Sequence, residues 1–259
     1  MTSLPLFLQF IITNIVILGS IEVGKRMGEA LQRYKKNEKD GMISVISGSI
    51  LGLLSFMLAF TFGIVSDRHD LRKSLVREEA NQIGTVWLRS DFIAEPDRSV
   101  TKKLVKEYLD LRISLLKSAG DEKIIKSVVD ADRIHDKLWA LGISHSRNDL
   151  QSDLGALYFD ALNKLADIQG LRVAIGYRGH IPAGLWISLY TLLVCAMLSI
   201  GYYAYSIQSK RSFASILLAF SFSLVIGIIS NLDQLQTKHF EISQQPLLDL
   251  QKKINEREL

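Results

Sequence analysis

The chain has 259 residues, 48% hydrophobic and 22% charged, with 31 Lys/Arg against 27 Asp/Glu for a net charge of +4. So small an excess, with no Lys/Arg run interleaved with stacking aromatics, argues against a nucleic-acid partner. The one cysteine, Cys195, excludes an internal disulfide and reads as a small packing residue within an apolar run.

Charge is segregated along the chain. Residues 1–21, 41–66, 181–209 and 212–232 contain no Asp, Glu, Lys or Arg. An apolar run of about 18 or more residues is long enough to cross a bilayer as a helix. The expected fold is therefore an all-α membrane protein with four transmembrane helices and a helical domain inserted between the second and third. The expected organisation is transmembrane helices 1 and 2 in residues 1–66 and a helical extramembrane domain in 67–180. Transmembrane helices 3 and 4 follow in 181–233, and a polar C-terminal tail in 234–259.

The N-terminal run lacks the basic n-region of a signal peptide, and Ile21, Glu22 and Val23 stand where a small-x-small cleavage site is needed. Leu4–Val23 is read as a retained first span. Gln9, Thr13 and Asn14 near its middle call for partners on neighbouring helices. A loop is expected over Gly24–Asp40, with Lys25, Arg26, Arg33, Lys35, Lys36 and Lys39.

The second span, Met42–Val65, places Ser44, Gly48, Gly52, Phe56 and Phe60 at four-residue spacing, with Ser55, Ala59 and Gly63 as a parallel stripe. Small residues at this spacing let helix backbones approach closely. The face serves either packing within the chain or contact with symmetry mates around a central axis. No breaker separates the span from Asp67, Arg68, Asp70 and Arg72, so the helix is expected to run on into solvent.

Pro96 marks a break and restart. Leu104, Tyr108, Leu111 and Leu115 then recur at helical spacing up to Gly120, and Ile124, Val128, Ala131, His135 and Leu138 trace the next helix. Gly142–Asn148 reads as a turn. Leu150, Leu154, Leu157, Ala161, Leu165 and Ile168 hold a three-four spacing. The third span, Ile181–Ile207, opens at Pro182 and carries Trp186 near one end and Tyr202, Tyr203 and Tyr205 near the other, an aromatic-belt pattern. A link with Lys210 and Arg211 leads to the fourth span, Phe213–Leu232, and a short charged helix follows Pro246.

The loops after the first and third spans share one side of the membrane and hold eight Lys/Arg, against seven flanking the spans on the other side. The density of the first loop and the uncharged N-terminal tail place that loop in the cytoplasm and the inserted domain outside it.

Enzyme chemistry is not indicated. The sequence has no phosphate-binding glycine loop, Gly-x-Ser-x-Gly, His-Glu-x-x-His or Cys-x-x-Cys. His135 and His145 flank the expected turn near Asp132, Asp136, Asp149 and Asp153 without repeated ligand spacing, and read as surface groups rather than a metal site. Glu78 and Glu79 point about 100° apart on a helix and form no acid/base dyad. The expectation is no enzyme, no cofactor and no metal.

The run Leu58-Ala59-Phe60-Thr61-Phe62, then Asp67-Arg68-His69-Asp70-Leu71-Arg72, then Glu78-Glu79-Ala80-Asn81-Gln82-Ile83-Gly84-Thr85 and Leu88-Arg89-Ser90-Asp91 resembles the bacterial bestrophin-like membrane proteins known as the DUF4239 family. Glu107-Tyr108-Leu109 and Arg112 fit its continuation, as do Leu232-Asp233 and Gln245-Pro246-Leu247. The family-motif residues are thus Asp67, Arg68, Glu78, Glu79, Asn81, Gly84, Arg89, Asp233 and Pro246. The tail departs from the family, with Asn231 where an acidic residue is frequent and Gln234-Leu235 in place of Arg-Pro.

The resemblance implies a bestrophin-like fold and a homo-oligomer, pentameric in bestrophins, which are mostly anion-selective channels with a narrow apolar neck lined by the second span. The acidic calcium-binding run of bestrophins is missing here. The bestrophin layout puts the inserted domain in the cytoplasm, opposite to the charge count. The expected function is a homo-oligomeric ion channel in the bacterial inner membrane, passing inorganic ions along an axial pore lined by Ser44, Gly48, Gly52, Phe56 and Phe60. The alternative is a non-conducting scaffold or sensor whose helical domain binds a partner, supported by the lack of intramembrane charge. A transporter is disfavoured by the absence of broken spans and internal repeats.

Overall fold

The structure is a computed structural model that describes residues 5–32, 40–114, 121–146, 153–176, 179–207, 213–234 and 242–257. Among the described residues the fold is all-helical. The helices are α1 (Leu6–Gln32), α2 (Asp40–Arg89), α3 (Asp97–Ser114), α4 (Asp121–Ser146), α5 (Asp153–Gly176), α6 (Ala183–Ser206), α7 (Phe213–Asp233) and α8 (Gln245–Arg257), with a 3₁₀ turn over Ser90–Phe92. The four segments Leu6–Leu31, Gly41–Phe92, Ala183–Ser206 and Phe213–Asp233 are long and apolar enough to cross a membrane. The chain divides into two compact units, residues 1–69 with 180–241 and residues 70–179 with 242–259.

The first unit is built on α1, the first part of α2, α6 and α7. Its core comprises Ile17, Leu54, Leu58, Val65, Leu189, Leu193, Met197, Ile226 and Ile229. Several polar side chains inside it bond across helices or back to their own turn, as an apolar surround favours. The Thr13 and Tyr190 hydroxyls lie 3.2 Å apart, and those of Ser47 and Ser199 2.6 Å apart. Thr61 donates to the Met57 carbonyl.

The first helix departs from expectation. Gly24–Gln32 was expected to be loop, yet it continues α1. The charges at Glu22, Lys25 and Arg26 end the apolar span without ending the helix, because Arg26 pairs with Glu22 one turn back at 3.4 Å. Gly24 is a packing residue: a Cβ there would stand 2.1 Å from the Leu198 carbonyl oxygen. Gly201 mirrors it, with a Cβ falling 2.0 Å from the Ile21 oxygen. The basic residues Arg33, Lys35, Lys36 and Lys39, the link at Lys210 and Arg211, and the leading residue of the expected first span, Leu4, lie outside the described residues.

The second unit collects the end of α2, the 3₁₀ turn, α3, α4, α5 and α8 around Ile83, Val86, Leu104, Tyr108, Leu138, Leu162 and Leu165. Glu95 caps α3 by accepting the Ser99 N–H and hydroxyl on Oε2 at 3.3 and 2.8 Å. The α8 helix is amphipathic, with Leu247 and Ile254 buried among charged residues. Pro246 sits in its first turn, where a missing N–H costs nothing.

Two expectations fail in this unit. The turn expected at Gly142–Asn148 is helical through Ser146, and Gly142 packs on α5, where a Cβ would meet Tyr158 and Phe159 at 2.9 and 3.0 Å. The buried stripe of α5 is Tyr158, Ala161, Leu162, Leu165 and Gln169, while Leu154 and Leu157 are exposed. The stripe turns on Tyr158, whose ring is buried although its hydroxyl bonds the Leu138 carbonyl.

Candidate functional site

The stripe expected to line a pore lies on the uncovered side of α2. Phe56 and Phe60 are 66% and 56% exposed in the single chain. Gly48 and Gly52 are also exposed, with no heavy atom within 4 Å of a Cβ built on them, and Ser44 is half-buried at the flank. The opposite side carries Ser47, Leu54, Leu58, Thr61 and Val65, all buried. At about 100° per residue Phe56 stands nearly opposite Leu54 and Val65. Among the described residues, no other helix packs closely against Gly48 and Gly52 on this face.

The family-motif residues separate into groups. In the first unit Asp233, at the end of α7 and 1% exposed, draws in three neighbours. Its Oδ1 accepts the Ile181 N–H at 2.9 Å and the Arg68 guanidinium at 3.4 Å. The His180 Nδ1 lies 3.2 Å from the Asp233 carbonyl oxygen. A carboxylate just before α6 also complements the positive end of that helix. Asp67 is exposed.

In the second unit Glu79 is fully buried while Glu78 is exposed. Arg112 of α3 approaches with Nε 2.8 Å from Glu79 Oε1, and Arg172 of α5 pairs with Oε2. The Tyr108 hydroxyl lies 3.1 Å from both Glu79 Oε1 and Gln169 Oε1, and Gln169 donates to Asp132 on α4 at 2.5 Å. Two guanidinium groups and a phenol thus offset the desolvation of one carboxylate, and four helices meet there. Burial pushes the Tyr108 phenol up to about 12, with Asp132 adding to the rise and Arg112 opposing it. Burial also lowers the His135 imidazole, against the pull of Asp136 and Asp132. Arg89 bonds the Leu157 carbonyl and, at 3.2 Å, Asp160. Hydrogen bonds from Lys164 and Arg89 hold the exposed Asp160 carboxyl below its usual range. Asn81 is exposed, and Gly84 faces Leu250 of α8.

Sequence reasoning missed Arg172, Gln169 and Asp132 as parts of this network. The available signal was a charge on an apolar face: Arg112 lies one turn beyond Tyr108, and Gln169 one turn beyond Leu165. Among the described residues no group of three His, Cys, Asp or Glu is placed to hold a metal ion.

The bestrophin-like domain family matches residues 18–246. The chain belongs to the bestrophin-like family. Among solved structures, a bacterial bestrophin homologue from Klebsiella pneumoniae, crystallised with a single substitution, is similar in fold at a TM-score of 0.61. The likeness covers 96% of this chain and 99% of that one at 12% identity. No curated protein matches the sequence. Family and apolar helices together make this bestrophin-like chain a membrane protein.

Proposed function

We propose that the chain is a homo-oligomeric ion channel of the bacterial inner membrane, within the DUF4239 branch of bestrophin-like proteins, with α2 lining an axial pore. Pentameric assembly follows the bestrophin resemblance, as does passage of inorganic ions. The supporting observation is the outward setting of Phe56 and Phe60, which project from the side of α2 opposite its buried stripe. Four helices with few ionisable groups enclose no ion path alone, so the path needs several copies. Two phenylalanines one turn apart would stack two apolar rings about 6 Å apart along the axis. A narrow apolar ring gates by excluding water, and hydrated ions cross only when it widens.

Truncation should widen and wet this segment. Phe56→Ala with Phe60→Ala should raise ion flux into liposomes several-fold over wild type while the assembly keeps its mass. Unchanged flux with lowered stability would place both rings against lipid or another helix. A wild-type protein and a truncated one that both fail to conduct would favour the scaffold reading, in which the spans anchor a partner-binding helical bundle.

A further inference from the structure

We propose that the charged cluster of the second unit holds a small monovalent inorganic anion, halide in class, between Arg112 and Ser127. The proposal is independent of the channel reading, because every residue it uses lies in that unit. Arg112 is 1% exposed. Its Nε faces Glu79 Oε1 at 2.8 Å, while Nη1 and Nη2 have no hydrogen-bond partner among the described residues. Buried guanidinium nitrogens seldom stay unpaired, since a charged donor without an acceptor forfeits its hydration outright. On α4 the Ser127 hydroxyl is in the same condition, 5% exposed and without a partner among the described residues. Helix pairing brings these groups to one level. Gln169 meets Asp132 and Tyr158 meets Leu138, so α4 and α5 run antiparallel and Ser127 comes level with Arg172 to within about a turn. Arg112 and Arg172 share the Glu79 carboxylate. One layer of the bundle therefore carries Arg112, Ser127 and Arg172 around Glu79.

Charge selects the ligand. The Glu79 and Arg112 side chains are fully buried and that of Arg172 is 13% exposed, so the interior groups carry two positive charges against one negative. Asp132 is exposed, and water screens its charge. A water molecule would accept from the Nη groups and leave the excess positive charge unbalanced. One monovalent anion accepts the same N–H groups and the Ser127 O–H, and balances the charge as well. A dianion overshoots. The burial of both Arg112 and Ser127 restricts the ligand to a compact ion.

Bromide against gluconate, a bulky organic anion, tests this at one ionic strength with the full chain in detergent. An anion that binds only the folded chain raises the melting midpoint once its concentration passes Kd, and the rise then follows the logarithm of concentration. Wild type should melt higher in bromide than in gluconate. Ser127→Ala should move the onset of that rise to at least about tenfold higher bromide, as the loss of one hydrogen bond to a charge requires. Arg112→Lys keeps the charge beside Glu79 but loses the fork of donors, and should move the onset in the same direction. If both variants only lower the midpoint, equally in the two salts, the residues serve packing alone and the proposal is overturned. A wild type indifferent to the anion overturns it too, as does a bromide onset that neither variant moves, which would put the ion elsewhere. In crystals grown in bromide, an anomalous peak beside Arg112 and Ser127 would support the site, and water alone at the Arg112 nitrogens would sink it.

Discussion

Substitution of Gly201 tests a backbone-to-backbone helix contact. A Cβ at Gly201 would stand 2.0 Å from the Ile21 carbonyl oxygen, 2.9 Å from its carbon and 3.0 Å from the Lys25 nitrogen. All three are backbone atoms of α1, so no side chain can turn aside. Relief requires α1 and α6 to separate by more than about 1 Å, and a gap of that size forfeits a quarter to a half of the dispersion well at each contact it opens. Gly24, three residues on from Ile21, holds the same pair against the Leu198 oxygen at 2.1 Å. Overpacking of this kind costs about 1–3 kcal/mol, from which the better helix propensity of Ala recovers at most about 1. Gly201→Ala should therefore lower stability by about 1–2 kcal/mol, or the melting midpoint by roughly 2–8 °C for a chain of this size.

The control is Gly19→Ala in α1, where nothing lies within 4 Å of the added Cβ. That change should hold or raise the midpoint. Circular dichroism melts in one detergent measure both. If Gly201→Ala melts at or above wild type, α1 and α6 do not approach backbone to backbone at this point, and the account of Gly24 as a packing residue fails with it.

Removing the charge at Glu79 with Glu79→Gln takes the carboxylate away from the fully buried Arg112 guanidinium and should cost about 3–5 kcal/mol, read as a lower midpoint; a loss under about 1 would mean that water reaches the cluster. Tyr108 should resist ionisation: because burial raises its phenol from 10.0 to about 12, the folded state keeps the proton while the unfolded state loses it, so stability falls as pH rises from about 10 to 12. The ultraviolet phenolate titration of wild type minus Tyr108→Phe locates that step, and a midpoint near 10 would refute the buried setting. Topology is decided by an impermeant thiol reagent on intact cells, in a chain lacking Cys195: the charge count expects labelling at Ser118→Cys and none at Lys36→Cys, and the reverse pattern would establish the bestrophin layout.

Charge segregation made the four apolar helices legible because lipid excludes ionised side chains over a length the helix must cross. The ends of helices were less legible. Gly24 and Gly142 both read as stops, and both lie inside helices against a neighbouring element. Glycine at such places trades helix propensity for close approach, and a single sequence does not say which element approaches. The α5 stripe slipped by one position because apolar residues are exposed at Leu154 and Leu157 while the half-polar Tyr158 is buried. Hydrophobicity alone ranks those three in the wrong order. The exposed α2 stripe was readable as a pattern of small and aromatic residues; that Gly48, Gly52, Phe56 and Phe60 stay uncovered among the described residues was a fact of three dimensions.

The motif that carried the family resemblance turns out to do structural duty in this chain. Across Glu79–Thr85, Glu79 anchors the charged cluster, Ala80 and Ile83 enter the core, Gln82 donates to the Ala161 carbonyl, and Gly84 leaves room for Leu250 of α8. Thr85 returns its hydroxyl to the Asn81 carbonyl one turn back. Apart from that bond within α2, these contacts join helices of the second unit, and none involves the Ser/Gly/Phe face of α2. The block specifies a bundle, whereas any conduction would reside in residues such as Phe56 and Phe60 that lie outside it. A bestrophin-like chain that keeps the Glu79–Thr85 pattern but carries other residues at the positions of Phe56 and Phe60 should therefore share this fold while differing in what its axis lets through. On the channel reading, fold and conduction would be separable in this sequence, because different stretches of one helix would carry them.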